Sequence, residues 1–308
     1  MPPFRIVFMG TAPFAVPSLE ILAKHGYPLP AVVTGPDRPR GRGREVSSTA
    51  VKMAAAHLGI PVLQPERLKD PEFAGTLRSL DPSLIVVVAF RILPPEIFKI
   101  PRHGSINLHA SLLPRYRGAA PINRAIMNGE RETGVTTFFL EESVDTGNIL
   151  LQARTPIQPG DDAGTLHDRL AEVGAEVVLH TVRLVEQGKA VPRAQDPGLA
   201  SPAPKIFRED CRIDWNTPAD RIRNLIRGLA PSPAAFTTHG GKVLKLFRAR
   251  VAEGALAPGV VETGRESLLV GTADHPLAIE DLQQEGKKRM TVGEFLRGYR
   301  LSTGDRFA

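Results

Sequence analysis

The sequence predicts an α/β chain: a Rossmann-like, mostly parallel sheet with helices on both faces, followed by a small C-terminal β-barrel of OB-like type. Three observations carry this expectation. The first half alternates short apolar runs with amphipathic stretches, the pattern βαβ units produce when both faces of a sheet are covered. A proline-rich segment with no apolar period, PRAQDPGLASPAP at 192–204, then interrupts it. Beyond it, short alternating segments recur between Gly and Pro turns, as they do in small barrels. The expected organisation is a first domain at 1–190, a linker at 191–204 and a second domain at 205–308; 308 residues at 42% apolar composition suffice for two cores.

Taken in order, Ile6 to Met9, Ala31 to Val33, Leu84 to Val88 and Ser105 to Leu108 read as buried strands, with helices near Pro17 to Lys24 and Thr49 to Leu58. Gly134 to Leu140 and Ile149 to Ala153 add two strands, and apolar residues at helical spacing predict a long helix from Gly164 to Glu186. After the linker, Thr217 as N-cap with Pro218 at the first helical position predicts a helix through Leu229. Lys242 to Arg250, Gly259 to Glu262 and Ser267 to Val270 read as barrel strands.

Composition narrows the function classes. No run of eighteen apolar residues and no charged leader is present, so a soluble cytoplasmic protein is expected. One cysteine, Cys211, allows no internal disulfide and makes a thiolate-rich metal site an unpromising idea. The net charge of +6 says little alone; its distribution says more. In PDRPRGRGR, Arg38, Arg40, Arg42 and Arg44 occupy every second position of a Pro- and Gly-spaced loop, which either faces water or folds along phosphates. Met9-Gly10-Thr11 after the first strand lacks the glycine pattern of a dinucleotide loop. A ligand is still expected at the carboxyl ends of the parallel strands.

Chemistry concentrates in SINLHASLLPRYRGAAP, from Ser105 to Pro121. Asn107 and His109, two apart at a strand end, share a face with Cα atoms roughly 6.5 to 7 Å apart. An amide donor beside an imidazole can stabilise an oxygen that turns negative as a carbonyl-type carbon becomes tetrahedral, while the ring also handles a proton. The same pair could instead satisfy buried backbone. Asp145, in the acidic turn EESVDTG, is the natural carboxylate to orient His109, although Asp-Thr-Gly also suits a plain turn.

The run NLHASLLPRYRGAAP with the later DTG closely resembles the folate-dependent formyltransferases, and the likeness extends through MGTAPFAVPSL, PDRPRGRGR, VVVAFRILP, GTLHDRLAEVGAEVV and KIFREDCRIDW to IRNLIRGLAPSPAAF. The last segments and the arginine loop are similar to those members that act on tRNA. The resemblance implies transfer of a formyl group from 10-formyltetrahydrofolate to the α-amine of initiator methionyl-tRNA, with no metal, no membrane partner and a monomeric enzyme. It implies that Asn107, His109 and Asp145 are the catalytic trio. Ser111, Leu112, Leu113 and Pro114 would line the folate pocket, and backbone at Val88, Ala89, Phe90 and Arg91 and at Glu142 to Asp145 would hold the pterin. Arg38, Arg40, Arg42 and Arg44 would grip the acceptor stem, with Lys205, Lys242, Lys245 and Arg248 as a second basic footprint alongside Arg208, Arg221, Arg223, Arg227 and Arg250. One departure bears on the pocket: Phe90 is followed by Arg91, where the family commonly has glycine.

Overall fold

The computed structural model describes residues 3–40 and 45–308, and of Pro39, Arg40, Glu45 and Val46 the backbone only. The first part runs β1 (Ile6–Gly10), α1 (Val16–Lys24), β2 (Ala31–Val33), β3 (Arg38–Arg40), β4 (Glu45–Ser47), α2 (Ala50–His57), β5 (Val62–Leu63), α3 (Pro71–Ser79), β6 (Leu84–Val88), α4 (Pro95–Phe98) and β7 (Ser105–His109). It continues through α5 (Pro121–Met127), β8 (Glu132–Phe139), β9 (Ile149–Pro156) and α6 (Ala163–Glu186). Two compact units emerge. One comprises residues through Gly118 with Thr133–Thr155 and His167–Pro202; the other comprises Ala119–Glu132, Pro156–Leu166 and Ala203–Ala308.

The first unit is built on a seven-stranded sheet of order β5-β2-β1-β6-β7-β8-β9. From β5 to β7 all pairings are parallel. All five residues of β1 and of β6 are buried, as expected of strands covered on both faces. Strand β8 then runs antiparallel to β7, setting Thr136 opposite His109 and Phe138 opposite Asn107. Helix α6 lies close against β7: a Cβ on Gly174 would meet Leu108 Cδ2 at 2.6 Å, so glycine permits this close approach of helix to strand.

Sequence periodicity left β5 and α3 undetected, because two- and nine-residue elements with mixed polarity carry little signal. The arginine loop also departs from expectation. Its ends pair as an antiparallel hairpin, Arg38 with Ser47 and Arg40 with Glu45.

The second unit contains α7 (Ala219–Leu229), β10 (Ala235–His239), β11 (Lys242–Val251), β12 (Val261–Thr263), β13 (Leu268–Val270), β14 (Leu277–Gln284), β15 (Met290–Thr291) and α8 (Val292–Gly298). Its strands form one antiparallel sheet of OB-like type, ordered β10-β11-β14-β13-β12 with β15 on β14. Register shifts around Arg248 bulge β11 and bend it, which lets so few strands curl over a core of Trp215, Ile222, Ile226, Leu244, Leu282 and Phe295.

The start of α7 corrects the expected cap. Pro218, not Thr217, occupies the N-cap and offers no side-chain acceptor. The acceptor comes from the turn before β14: Asp274 Oδ1 takes the N–H of Ala219 at 2.8 Å and that of His275 at 2.7 Å. The Ala219 bond above all holds the Asp274 carboxyl below its ordinary value of 3.8. A depressed carboxyl stabilises the fold in full above its unfolded value and loses that contribution as pH falls through the folded one. Asp274→Ala should therefore lower Tm at neutral pH, and the gap to the parent should close in acid below the ordinary carboxyl range; a gap that stays constant in that titration would reject this capping role.

Candidate active site

Strand β7 ends the parallel part of the sheet, and its alternation puts Ser105, Asn107 and His109 on one face. The Asn107 carboxamide, half-buried, makes no hydrogen bond to another described residue, so both amide protons are available to a ligand. His109 is 7% exposed, and both ring nitrogens face an oxygen, one of them at hydrogen-bond distance. Nε2 stands 2.8 Å from the Tyr116 carbonyl oxygen. A carbonyl only accepts, so Nε2 carries the proton and the neutral ring presents a lone pair at Nδ1. That nitrogen faces Asp145 Oδ2 at 3.8 Å, beyond direct hydrogen-bond length but close enough for a charge gained by the ring to feel the carboxylate.

Asp145 sits in the β8–β9 connection with its backbone in the left-handed region at φ 56°. Its Oδ2 accepts the Gly118 N–H at 2.9 Å. Two residues on, Gly147 lies so close to Phe139 that a Cβ there would run into the Phe139 carbonyl oxygen. Glycine in the Asp-Thr-Gly sequence is thus a packing requirement of this hairpin, and it fixes where the turn lifts Asp145.

The Ser111 to Pro114 segment is fastened from beneath. Thr136 Oγ1 donates to the Ser111 carbonyl at 2.7 Å and accepts the Leu113 N–H at 3.1 Å, while Gln152 Nε2 donates to the Leu113 carbonyl at 2.9 Å. Ser111 Oγ turns back to the Arg115 carbonyl, and Leu113 packs with Phe138 and Ile149. Leu112 and Pro114 are the half-exposed members of this segment. Neither Thr136 nor Gln152 stood out in the sequence, since each lies mid-strand in an unremarkable context.

At the end of β6, Val88 is buried, Ala89 is exposed in the left-handed region at φ 47°, and Phe90 is half-buried. Arg91 explains how the chain manages without glycine there. Its guanidinium lies 5.3 Å from the Phe90 ring centroid and donates to the Pro65 carbonyl at 2.8 Å and the Glu66 carbonyl at 3.1 Å. That side chain supports the loop and turns away from serving as a free cation. Two apolar side chains on these loops face solvent, Ile92 at 75% and Val144 at 52% exposure.

Among the basic residues, Arg38 is exposed on β3; the side chain of Arg40 and the whole of Arg42 and Arg44 lie outside the described residues. The hairpin is rooted by Asp37, which pairs with Lys52 and accepts from Gln64 Nε2 at 3.0 Å; the Lys52 bond leads in holding its carboxyl below the usual range. In the second unit Lys205, Arg208, Arg221, Lys242, Lys245, Arg248 and Arg250 are exposed. Arg248 is already paired with Glu280 at 2.7 Å. Arg227 is half-buried and bonded to the Gln158 and Asp161 carbonyls, and Arg223 is half-buried with Asp220 at 3.8 Å, so these two are tied into the unit's own structure.

The sequence matches the formyl transferase family over residues 4–182 and the formyl transferase C-terminal domain over 205–300. It is 50% identical over 304 residues to a methionyl-tRNA formyltransferase of Caldanaerobacter subterraneus subsp. tengcongensis, covering 97% of this chain and 98% of the relative. It is also 50% identical over 305 residues to a methionyl-tRNA formyltransferase of Pelotomaculum thermopropionicum, covering 97% of each. Among solved structures, the fold is shared with HypX of Aquifex aeolicus, at TM-score 0.68 and 22% identity over 97% of this chain and 48% of that one. An N-formyltransferase of Helicobacter canadensis, solved with folinic acid and dTDP-3-aminofucose, is similar at TM-score 0.68 and 21% identity over 89% and 98%.

Gly147→Ala tests the hairpin. Forcing a methyl against the Phe139 carbonyl should cost about 1–3 kcal/mol of stability and displace Asp145. Chemical denaturation would show it, and an unchanged midpoint would disprove the close approach.

Proposed function

The chain belongs to the formyl transferase family and, within it, to the methionyl-tRNA formyltransferases, and from that premise we propose how it transfers the formyl group of 10-formyltetrahydrofolate to the α-amine of methionyl-tRNA. The single observation supporting the assignment of residues is the His109 ring, bracketed by the Tyr116 carbonyl and Asp145, beside the unpartnered Asn107 carboxamide.

In this reading the neutral α-amine attacks the formyl carbon, a C–N bond forms and the formyl oxygen becomes negative. Asn107 donates to that oxygen. With Nε2–H committed to Tyr116, His109 enters the reaction as an acceptor: Nδ1 takes the proton from the attacking nitrogen. The positive charge then on the ring faces the Asp145 carboxylate. The same Nδ1–H can next stabilise the oxyanion or deliver its proton to the folate nitrogen as that C–N bond breaks. The products are N-formylmethionyl-tRNA and tetrahydrofolate, and the protons balance. The assignment refines the sequence reading, in which Asn107 and His109 both stabilise the oxyanion and the ring also handles a proton, by having His109 accept a proton before it donates one.

Donor and acceptor grip follow from the same reading. The loop ends at Val88–Arg91 and Glu142–Asp145 and the Ser111–Pro114 segment offer backbone groups and small apolar surfaces for a pterin, with Ile92 and Val144 as exposed apolar neighbours. Arg38 and the arginines that follow it serve the acceptor stem, and the exposed Lys205, Lys242 and Lys245 add a second basic contact. The enzyme acts on the initiator tRNA, in the cytoplasm, as a monomer. No helix among the described residues is long and apolar enough to cross a membrane.

Asn107→Ala, His109→Ala and Asp145→Ala should each keep Tm near that of the parent and lower kcat by at least about a hundredfold, the scale of roughly 3–4 kcal/mol for a lost oxyanion donor; near-normal turnover in any of them removes that residue from the trio. Replacing Arg38 and Arg42 with alanine should raise KM for charged tRNA and reduce its dependence on salt while sparing folate affinity, and an unchanged salt slope would count against the basic arm. Assays with charged initiator and elongator tRNA should show a strong preference for the former, and formate release independent of tRNA would point to hydrolysis instead.

A further inference from the structure

Residues 193–202, whose composition reads as a linker, are stitched to the loops of the active site. Arg193 exchanges backbone hydrogen bonds with Ile149 at 2.8 and 2.9 Å. Ser201 Oγ accepts the Tyr116 N–H at 2.9 Å, and its carbonyl accepts the Arg117 N–H at 2.8 Å. Between these two anchors lies Gln195.

Every hydrogen-bonding capacity of the Gln195 carboxamide is used. Nε2 donates to the carbonyl of Asp145 at 2.9 Å and to that of Gly147 at 2.8 Å. Oε1 accepts from Arg117 Nε at 3.1 Å and Nη2 at 2.6 Å. The partners themselves dictate which end is which, because two carbonyls need donors and a guanidinium has nothing else to give. The next backbone N–H after Arg117, that of Gly118, donates to Asp145 Oδ2 at 2.9 Å. A closed circuit results: Gln195 holds Asp145 by its backbone, Gly118 holds it by its carboxylate, and Arg117 joins the two grips.

A non-glycine residue at φ 56°, as Asp145 is, persists where its surroundings leave it no alternative. We propose that Gln195 is a positioning residue for the transfer reaction, fixing the Asp145 carboxylate opposite His109 Nδ1 without touching a reacting atom. This rests on the reading of Asp145 as a member of the trio. Nothing in the local sequence, RAQDP, marks the residue; it is found only by following where the carbonyls of the Asp-Thr-Gly turn find their donors.

The test is a kinetic cycle of four proteins: the parent, Gln195→Ala, Asp145→Ala and the double variant. Gln195→Ala should lower kcat about tenfold or more, because a displacement near 1 Å can cost about a hundredfold, while KM for tRNA and for folate changes less than about threefold. In the Asp145→Ala background the same change should cost less than about threefold, since residues acting as a unit do not add. A purely structural glutamine would give equal factors in both backgrounds. Gln195→Glu keeps the shape but sets a carboxylate oxygen against two carbonyls; it should repeat the pattern and serves if the alanine variant does not fold. Equal losses in both backgrounds, or a parental kcat in both Gln195 variants while Asp145→Ala is crippled, overturns the proposal and leaves the trio standing. An Asp145→Ala enzyme at parental rate overturns the trio and the proposal with it.

Discussion

The hydrogen bond from His109 Nε2 to the Tyr116 carbonyl is the contact on which the site turns. Because a carbonyl only accepts, it puts a proton on Nε2 and leaves Nδ1 as the nitrogen that faces Asp145. A backbone carbonyl serves this purpose better than a side chain would, because it cannot rotate away or titrate. Its position depends in turn on Tyr116 being held at φ 60°, a left-handed conformation that bulky residues avoid at a cost of about 1–3 kcal/mol. Ser201, which accepts from the backbone N–H groups of Tyr116 and Arg117 and donates its own to the Pro114 carbonyl, supplies the restraint. Ala89 and Asp145 share the left-handed region, so the loops after β6 and β7 and the β8–β9 connection are all built on backbone that regular elements do not use.

Such loops can be held only by a rigid base. The parallel strands provide it, buried throughout β1 and β6, and the antiparallel return of β8 extends it past the last parallel strand. Thr136 shows the economy of this arrangement: as the register partner of His109 it reaches both Ser111 and Leu113, so one hydroxyl ties the strand to the loop that leaves it. Gly147 and Gly174 act by omission, letting the Phe139 carbonyl and the Leu108 side chain come closer than any Cβ would allow. Arg91 takes the opposite course, bracing its loop with a long side chain bonded to two carbonyls.

The two units solve different physical problems. The first rests its loops on buried strands and ties them by side-chain-to-backbone hydrogen bonds, as at Thr136, Gln152 and Gln195. The second presents exposed lysines and arginines on a curled sheet, where Lys242 and Lys245 project from β11 and only part of the positive charge is neutralised, as at Arg248 and Arg250 by Glu280. Long-range attraction to a polyanion asks for sign and exposure far more than for exact placement.

The difference sets what could be read from the chain alone. Buried parallel strands announce themselves as apolar runs, so Ile6–Gly10, Ala31–Val33, Leu84–Val88 and Ser105–His109 fall where periodicity puts them, to within a residue. Asn107 and His109 were legible because a strand places i and i+2 on one face by covalent geometry. The pairing of β3 with β4, the loan of Asp274 to α7, the carbonyl on Nε2 and the hold of Gln195 on Asp145 were not. Each joins groups that the sequence separates and that no local preference relates: Gln195 acts fifty positions from Asp145, and Asp274 fifty-five from Ala219. The sequence by itself determined which side chains share a strand face and what chemistry such a pair allows; the tertiary structure decided which nitrogen of His109 is left without a hydrogen bond, because that depends on where the Tyr116 carbonyl comes to rest.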